Sequence, residues 1–76
     1  MNKKKIKLDL IGLKCPLPVL KTAKKIKEIN NESVLEIKTD DPSAENDIEE
    51  LCRNNNYKVL QKLKEKKVLY FVLKKN

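Results

Sequence analysis

Histidine is absent from this chain of 76 residues, and glycine occurs only once, at position 12. Without histidine, neither a Ser–His nor a Cys–His catalytic pair can be built, and the commonest protein ligand for zinc is missing. The two cysteines, Cys15 and Cys52, are too few for a disulfide scaffold or for the four ligands of a structural zinc site. We therefore expect free thiols, no metal and no cofactor.

The chain also lacks a long hydrophobic run. No apolar stretch approaches the ~20 residues that span a bilayer, and no apolar core of a signal peptide follows the basic residues 1–5. We therefore expect a cytoplasmic protein that does not contact membranes. A chain of this length has room for one domain, residues 1–76, and residues 1–5 and 74–76 are interpreted as basic tails.

Positive charge is present in excess, with 18 basic against 11 acidic residues and a net charge of +7. Such a balance is compatible with nucleic-acid binding. However, Arg53 is the one arginine, and the aromatic residues fall in ordinary strand patterns rather than on a platform for stacking bases. A composition rich in lysine and asparagine explains the charge equally well. We do not expect direct, specific binding of nucleic acid.

Hydrophobic periodicity predicts four strands and two helices. Alternation with a period of two indicates strands, and apolar residues at steps of three and four indicate amphipathic helices. A charged stretch, 64–67, joins the last two strands as a hairpin loop. The predicted elements in chain order are a strand at 6–10, a helix from 16 to about 30, a strand at 33–39, a helix from about 42 to 55, and strands at 57–63 and 68–73.

Each predicted helix has one apolar face. Asp41 is the predicted N-cap of the second helix, with Pro42 at its first position. Cys52 shares the apolar stripe of that helix and is interpreted as a buried structural thiol. The apolar faces consist of Leu17, Val19, Leu20, Ala23, Ile26 and Ile29 in the first helix, and of Ala44, Ile48, Leu51 and Cys52 in the second.

The order β-α-β-α-β-β predicts an α/β (α+β) two-layer sandwich. Right-handed crossovers place both helices on one face of a mixed four-stranded sheet. The last strand is apolar throughout and is therefore predicted to be central. Sites in such sheets lie beyond the carboxyl ends of the parallel strands, where Cys15, Asp40 and Asp41 all emerge.

Cys15 stands directly before two prolines, in the stretch 12–18. Because proline fits the first turn of a helix, Cys15 is the predicted N-cap, with Pro16 at the first helical position and Pro18 at the third. The positive end of the helix and the adjacent Lys14 would lower the pKa of this thiol. Gly12 suits the sharp turn that leads into the loop. The alternative is a small apolar cysteine ahead of an ordinary proline helix start.

Two stretches of the sequence resemble the signature of the TusA-like (SirA- and YedF-like) sulfur-carrier proteins. They are Leu8-Asp9-x-x-Gly12-Leu13-x-Cys15-Pro16-x-Pro18, and Asp40-Asp41-Pro42 followed by Asp47-Ile48 and Cys52. The resemblance runs nearly end to end and implies a fold similar to the C-terminal domain of translation initiation factor three. It also implies transfer of sulfur from a cysteine desulfurase or rhodanese-like donor to an acceptor protein. The sequence departs from the family where Tyr57 replaces a histidine and where Asn30-Asn31 replaces a glycine.

The residues themselves suit a covalent relay. Cys15 has no partner in a Cys-x-x-Cys arrangement and therefore lacks the resolving thiol of a dithiol cycle. We hypothesise that Cys15 accepts sulfur as a persulfide and passes it on, as in tRNA thiolation or another sulfur-transfer pathway. Such a protein is a sulfurtransferase-like relay rather than an independent enzyme, because both steps need another protein.

Two alternatives to this relay stay open: a basic adaptor that binds RNA or a partner protein, and a thiol redox regulator that uses Cys15 and Cys52.

Ten further residues are predicted to serve the Cys15 site. The residues expected to support the thiolate and the helix start are Gly12, Lys14, Pro16 and Pro18, and those for docking of a partner are Leu13, Leu17, Lys21, Lys24, Asp40 and Asp41.

Overall fold

The computed structural model describes residues 4–75, so that the predicted tail residues 1–3 and 76 lie outside the described part. The elements are β1 (Lys5–Asp9), α1 (Leu17–Glu28), β2 (Val34–Thr39), α2 (Ala44–Asn55), β3 (Lys58–Glu65) and β4 (Val68–Lys74). This order confirms the predicted α+β sandwich. Within residues 4–75, neither helix combines the length and the apolar character that crossing a membrane requires.

The sheet has the strand order β1-β2-β4-β3. β1 and β2 run parallel, as a crossover through α1 demands, whereas β4 pairs antiparallel with both β2 and β3. The prediction that the last strand is central is confirmed. Its continuous apolar sequence fits a position in which strand neighbours cover both edges.

The core lies between the sheet and the two helices. Alternate residues of β2 and β4 point into it, where Ile26 of α1 and Ile48 of α2 complete the same cluster. Each fully buried aliphatic or aromatic side chain contributes roughly 1.5–3 kcal/mol to stability. The sheet residues of this cluster are Leu35, Ile37, Leu69, Phe71 and Leu73.

The core-facing side of α1 differs from the prediction. The helix buries Pro18, Thr22 and Ile26, whereas Leu17 is 43% and Leu20 56% exposed. Thr22 can be buried because its hydroxyl donates a 2.7 Å hydrogen bond to the Pro18 carbonyl and leaves no polar group unsatisfied. Two leucines expected in the core therefore lie on the surface.

β3 is an edge strand whose residues are all exposed. It is joined to β4 by a two-residue turn in which Lys66 has φ 58, rather than by the predicted four-residue loop 64–67. Lys62 ties this strand to α2 through its Nζ, which lies 2.8 Å from Glu45 Oε2 and 2.6 Å from Glu49 Oε2. Hydrogen bonds to the two carboxylates raise the pKa of Lys62 to about 12. The edge strand is thereby fixed against the helix layer.

Parts of the predicted basic tails belong to the fold. Lys5 lies in β1 and Lys74 in β4. The ammonium group of Lys75 donates hydrogen bonds to the carbonyl oxygens of Lys27 at 3.2 Å and Ile29 at 3.1 Å. Because the last carbonyls of a helix lack intrahelical partners, Lys75 stabilises the end of α1.

Candidate functional site

Cys15 lies exposed in the loop between β1 and α1. The predicted N-cap role is wrong, because α1 begins at Leu17, Pro16 occupies the cap position and the Cys15–Pro16 peptide bond is cis. The Leu17 N–H is not available to the thiol, because it donates a 2.8 Å hydrogen bond to the Lys14 carbonyl. Cys15 therefore lies immediately before the cap residue, two residues ahead of the first residue of α1.

Gly12 makes the sharp turn of this loop with a φ of +88°, which L side chains rarely adopt. An added Cβ would meet no atom within 4 Å, and the need for glycine therefore comes from the backbone conformation. The Gly12 N–H donates a 3.0 Å hydrogen bond to Oδ1 of Asp40, at the end of the neighbouring strand β2. Asp40, predicted for docking, thus fixes the cysteine loop.

The amides on either side of Gly12 are also bonded. Four successive N–H groups, from residue 10 to residue 13, have protein acceptors, although this segment is neither helix nor strand. The backbone N–H groups of this segment are therefore satisfied without regular secondary structure. The other three acceptors are the Lys38 carbonyl at 2.7 Å for Leu10, Asp9 Oδ1 at 3.0 Å for Ile11, and the Leu10 carbonyl at 3.1 Å for Leu13.

Asp47, in the first turn of α2, is the direct polar partner of the thiol. Sγ of Cys15 donates to Asp47 Oδ2 at 3.4 Å across 32 residues of sequence. This hydrogen bond is the main reason that the Cys15 pKa is raised above its ordinary value. The nearby Ser43 hydroxyl acts on this pKa in the opposite direction, while slight burial and the charges of Asp47 and Asp41 add to the increase. The predicted lowering of this pKa is wrong.

Asp41 is not the N-cap of α2, because Ser43 occupies that position. The Asp41 side chain is buried and accepts a 3.1 Å hydrogen bond from the Ser43 hydroxyl, while its N–H donates to the Thr39 hydroxyl at 3.3 Å. These bonds fix the segment that leads into α2. The starts of both helices therefore meet beside Cys15, as the topology predicted.

The other predicted residues fall into two groups. Lys14, Lys21 and Lys24 are exposed, together with Pro16 and Leu17. Pro18 is buried at the second position of α1 rather than the third, and Leu13 is half-buried against the core. The lysines and Leu17 are thus accessible to a partner, whereas Leu13 mainly supports the loop.

Sequence reasoning missed a groove between the helices. It has a volume of about 370 Å³ and is open to solvent. Pro16 and Asp47 lie at its thiol end, and Val19 and Leu51 supply apolar walls. The sequence carried one signal of this groove, the apolar residues of the two helices that line it. Because these residues were predicted to face the core, the groove was not predicted.

The two helices beside Cys15 carry opposite charge. α1 is basic and α2 is acidic, and the thiol lies where the two begin. Part of the excess positive charge of the chain is therefore concentrated on one side of the site. The charged residues are Lys21, Lys24, Lys25, Lys27 and Glu28 in α1, and Glu45, Asp47, Glu49, Glu50 and Arg53 in α2.

Cys52 has the opposite surroundings. It is 3% exposed and belongs to the core cluster, as predicted. Burial raises the pKa of its thiol to about 11, with a further contribution from the charge of Glu49. At neutral pH this cysteine is a protonated core side chain.

A comparison with known families identifies the kind of protein to which this site belongs. The family model described as "Sulfurtransferase TusA" matches residues 6–75. The chain belongs to the TusA family. Over 63 residues it is 41% identical to the sulfur carrier protein TusA of Buchnera aphidicola subsp. Baizongia pistaciae (strain Bp), which covers 83% of this chain and 78% of that protein.

Two proteins of Bacillus subtilis (strain 168) are also similar. The putative sulfur carrier protein YrkI is 31% identical over 68 residues, which cover 90% of this chain and 91% of YrkI. The putative sulfur carrier protein YrkF is 35% identical over 75 residues, or 99% of this chain but 40% of YrkF. Membership of the TusA family indicates a sulfur-carrier role, which involves a sulfur donor and a sulfur acceptor in general.

Proposed function

We propose that this TusA-family protein carries sulfane sulfur as a persulfide on Cys15. A cysteine desulfurase or a rhodanese-type protein supplies the sulfur, and an acceptor protein removes it. The observation that carries the proposal is the contrast between the thiols: Cys15 is exposed on a hydrogen-bonded loop where two helices begin, and Cys52 is buried.

The proposed transfer is an exchange between sulfur atoms. The Cys15 thiolate attacks the outer sulfur of the donor persulfide, one S–S bond forms as the donor's S–S bond breaks, and the donor leaves as a thiolate. An acceptor thiolate then attacks the outer sulfur held by Cys15 and releases the Cys15 thiolate. One S–S bond replaces another in each step, and neither step needs an external oxidant or reductant.

A carrier must hold its cargo without discharging it. An adjacent thiol would attack a persulfide and release the sulfur, but the second thiol of this chain lies in the core. This supports a relay over a dithiol redox cycle. Because the carrier thiol has to stay reduced between transfers, we place the protein in the cytoplasm, with tRNA thiolation or another sulfur-transfer pathway downstream.

The direct test is to load the protein. Incubation with a cysteine desulfurase and cysteine, or with glutathione persulfide, should add the mass of one sulfur atom. Treatment with a reductant should remove that mass, and peptide mapping should place it on Cys15. No added sulfur from either donor would contradict the proposal, as would sulfur that maps to Cys52.

A further inference from the structure

Asp47 reaches Cys15 from a different helix, and the sulfur-carrier role alone does not explain this pairing. We propose that Asp47 is a positioning residue for Cys15: its carboxylate accepts the thiol hydrogen and keeps the empty carrier protonated until a partner engages the carboxylate. The biological meaning of this control rests on the proposed function. The contact between Asp47 and Cys15, and its effect on ionisation of the thiol, do not depend on that function.

Both partners of the contact are held in place independently of each other. The Cys15 loop is fixed by the hydrogen bond between Gly12 and Asp40, and the start of α2 is fixed by the bond between Ser43 and Asp41. Asp47 is half-buried in the first turn of that helix. The Sγ–Oδ2 distance of 3.4 Å thus joins side chains that extend from two hydrogen-bonded backbone segments.

Three groups outside the thiol's own loop influence its ionisation. α2 contributes Asp47, its N-cap contributes the Ser43 hydroxyl, and the preceding segment contributes Asp41. Lys14 is the neighbouring charge on the thiol's own loop, and it is exposed to solvent that screens it. The two acids oppose ionisation of the thiol and Ser43 favours it, with the Asp47 hydrogen bond as the largest influence.

The chemical consequence follows from the need for a thiolate. The thiolate, not the thiol, is the nucleophile in sulfur exchange, and a deprotonated Sγ would face the Asp47 carboxylate at hydrogen-bond distance. A cationic side chain that pairs with Asp47 would weaken this opposition. A productive partner should therefore bring a lysine or an arginine to Asp47, so that the thiol ionises where a sulfur donor or acceptor is present.

The test is the pH profile of Cys15 alkylation by iodoacetamide, followed by peptide mapping. In Asp47→Asn the midpoint should move to lower pH, because the near-isosteric amide removes the charge and can donate to the thiolate. Alkylation at neutral pH should become several-fold faster. The gain is limited because the nucleophilicity of a thiolate falls with its pKa.

One variant serves as the matched control. Glu50→Gln removes the same charge one turn further along α2, and its midpoint should move much less. An unchanged midpoint in Asp47→Asn, or an equal shift in Glu50→Gln, would overturn the inference.

A measurement without mutation guards against a variant that fails to fold. The alkylation midpoint of wild-type Cys15 should be higher in the folded protein than in the same chain unfolded in urea, because only the fold supplies Asp47. A midpoint equal to or below that of the unfolded chain would overturn the inference.

These measurements use no sulfur donor and are therefore independent of the proposed function. If Asp47→Asn shifts the profile but wild-type protein accepts no sulfur, the proposed function fails and the role of Asp47 stands. If wild-type protein loads sulfur but the profile is unchanged, this inference alone fails.

Discussion

The two cysteines are the same side chain in two environments, and both have a raised pKa. Cys15 is exposed, and a hydrogen bond to one surface carboxylate is the main cause. Cys52 is almost completely buried, and loss of solvent is the main cause. A docking partner can displace a hydrogen bond, whereas burial ends only when the structure opens. The two thiols therefore differ in how easily the raised pKa can be reversed.

Removal of Cys15 should have the largest effect. We expect Cys15→Ser to accept no sulfur from either donor, because serine forms no persulfide. Its free energy of unfolding should change by less than about 1 kcal/mol, since the side chain is exposed. Intact mass and urea denaturation measure the two outcomes. Cys52→Ala is the matched control and should load to the wild-type level; a loaded Cys15→Ser variant would identify a different carrier residue.

Alkylation in the native state should separate the two thiols next. We expect iodoacetamide to modify Cys15 about a hundredfold faster than Cys52 or more, because Cys52 reacts only through opening of the core. Peptide mapping over a time course gives both rates from one sample. In urea the two rates should converge. A native Cys52 that reacts as fast as Cys15 would show that the core around α2 is open.

The buried thiol should lower stability at alkaline pH. An unfolded Cys52 loses its proton near pH 9.0, whereas the folded protein retains it to about 11. Between these values ionisation favours the unfolded chain, and the free energy of unfolding should fall by at most about 3 kcal/mol as pH rises. Urea titrations of Cys15→Ser with and without Cys52→Ala isolate this effect, since lysine titration is common to both. An identical pH dependence in the two proteins would contradict it.

Charge around Cys15 should have the smallest effect, on the rate of transfer only. Lys21→Glu or Lys24→Glu should slow loading by a desulfurase several-fold at low salt, because steering by surface charge raises the association rate. Salt should reduce the wild-type rate as the screening length falls to ~8 Å. Lys58→Glu, at the opposite end of the sheet from Cys15, makes the same charge change and should have little effect. If all three substitutions slowed loading equally, the slower loading would be an effect of net charge and not of lysines near Cys15.

Local patterns predicted the fold well. Alternating or continuous apolar residues identified all four strands, and the continuous apolar sequence of the last strand placed it inside the sheet. The burial of Cys52 followed from its place in the apolar stripe of α2. These features depend on residues near in sequence, where the hydrophobic period is the dominant influence.

The predictions that were wrong depend on interactions that the hydrophobic pattern of the sequence does not reveal. The core-facing side of α1 was wrong because Thr22 counts as polar until its hydroxyl is seen to bond to Pro18. The helix starts were wrong by one or two residues because Pro16 and Ser43 occupy the cap positions. The contact between Cys15 and Asp47 depends on how α2 lies against the loop, which no local spacing specifies.

The loop at residues 10–13 determines where the motion in a transfer must come from. Its four consecutive bonded amides should exchange with deuterium slowly for a segment outside regular structure. Cys15 therefore follows a rigid loop segment and extends little beyond the protein surface. Any donor or acceptor whose own cysteine lies in a deep pocket must therefore bring that cysteine to the surface on a mobile segment. The conformational change during transfer then occurs in the partner and not in the carrier.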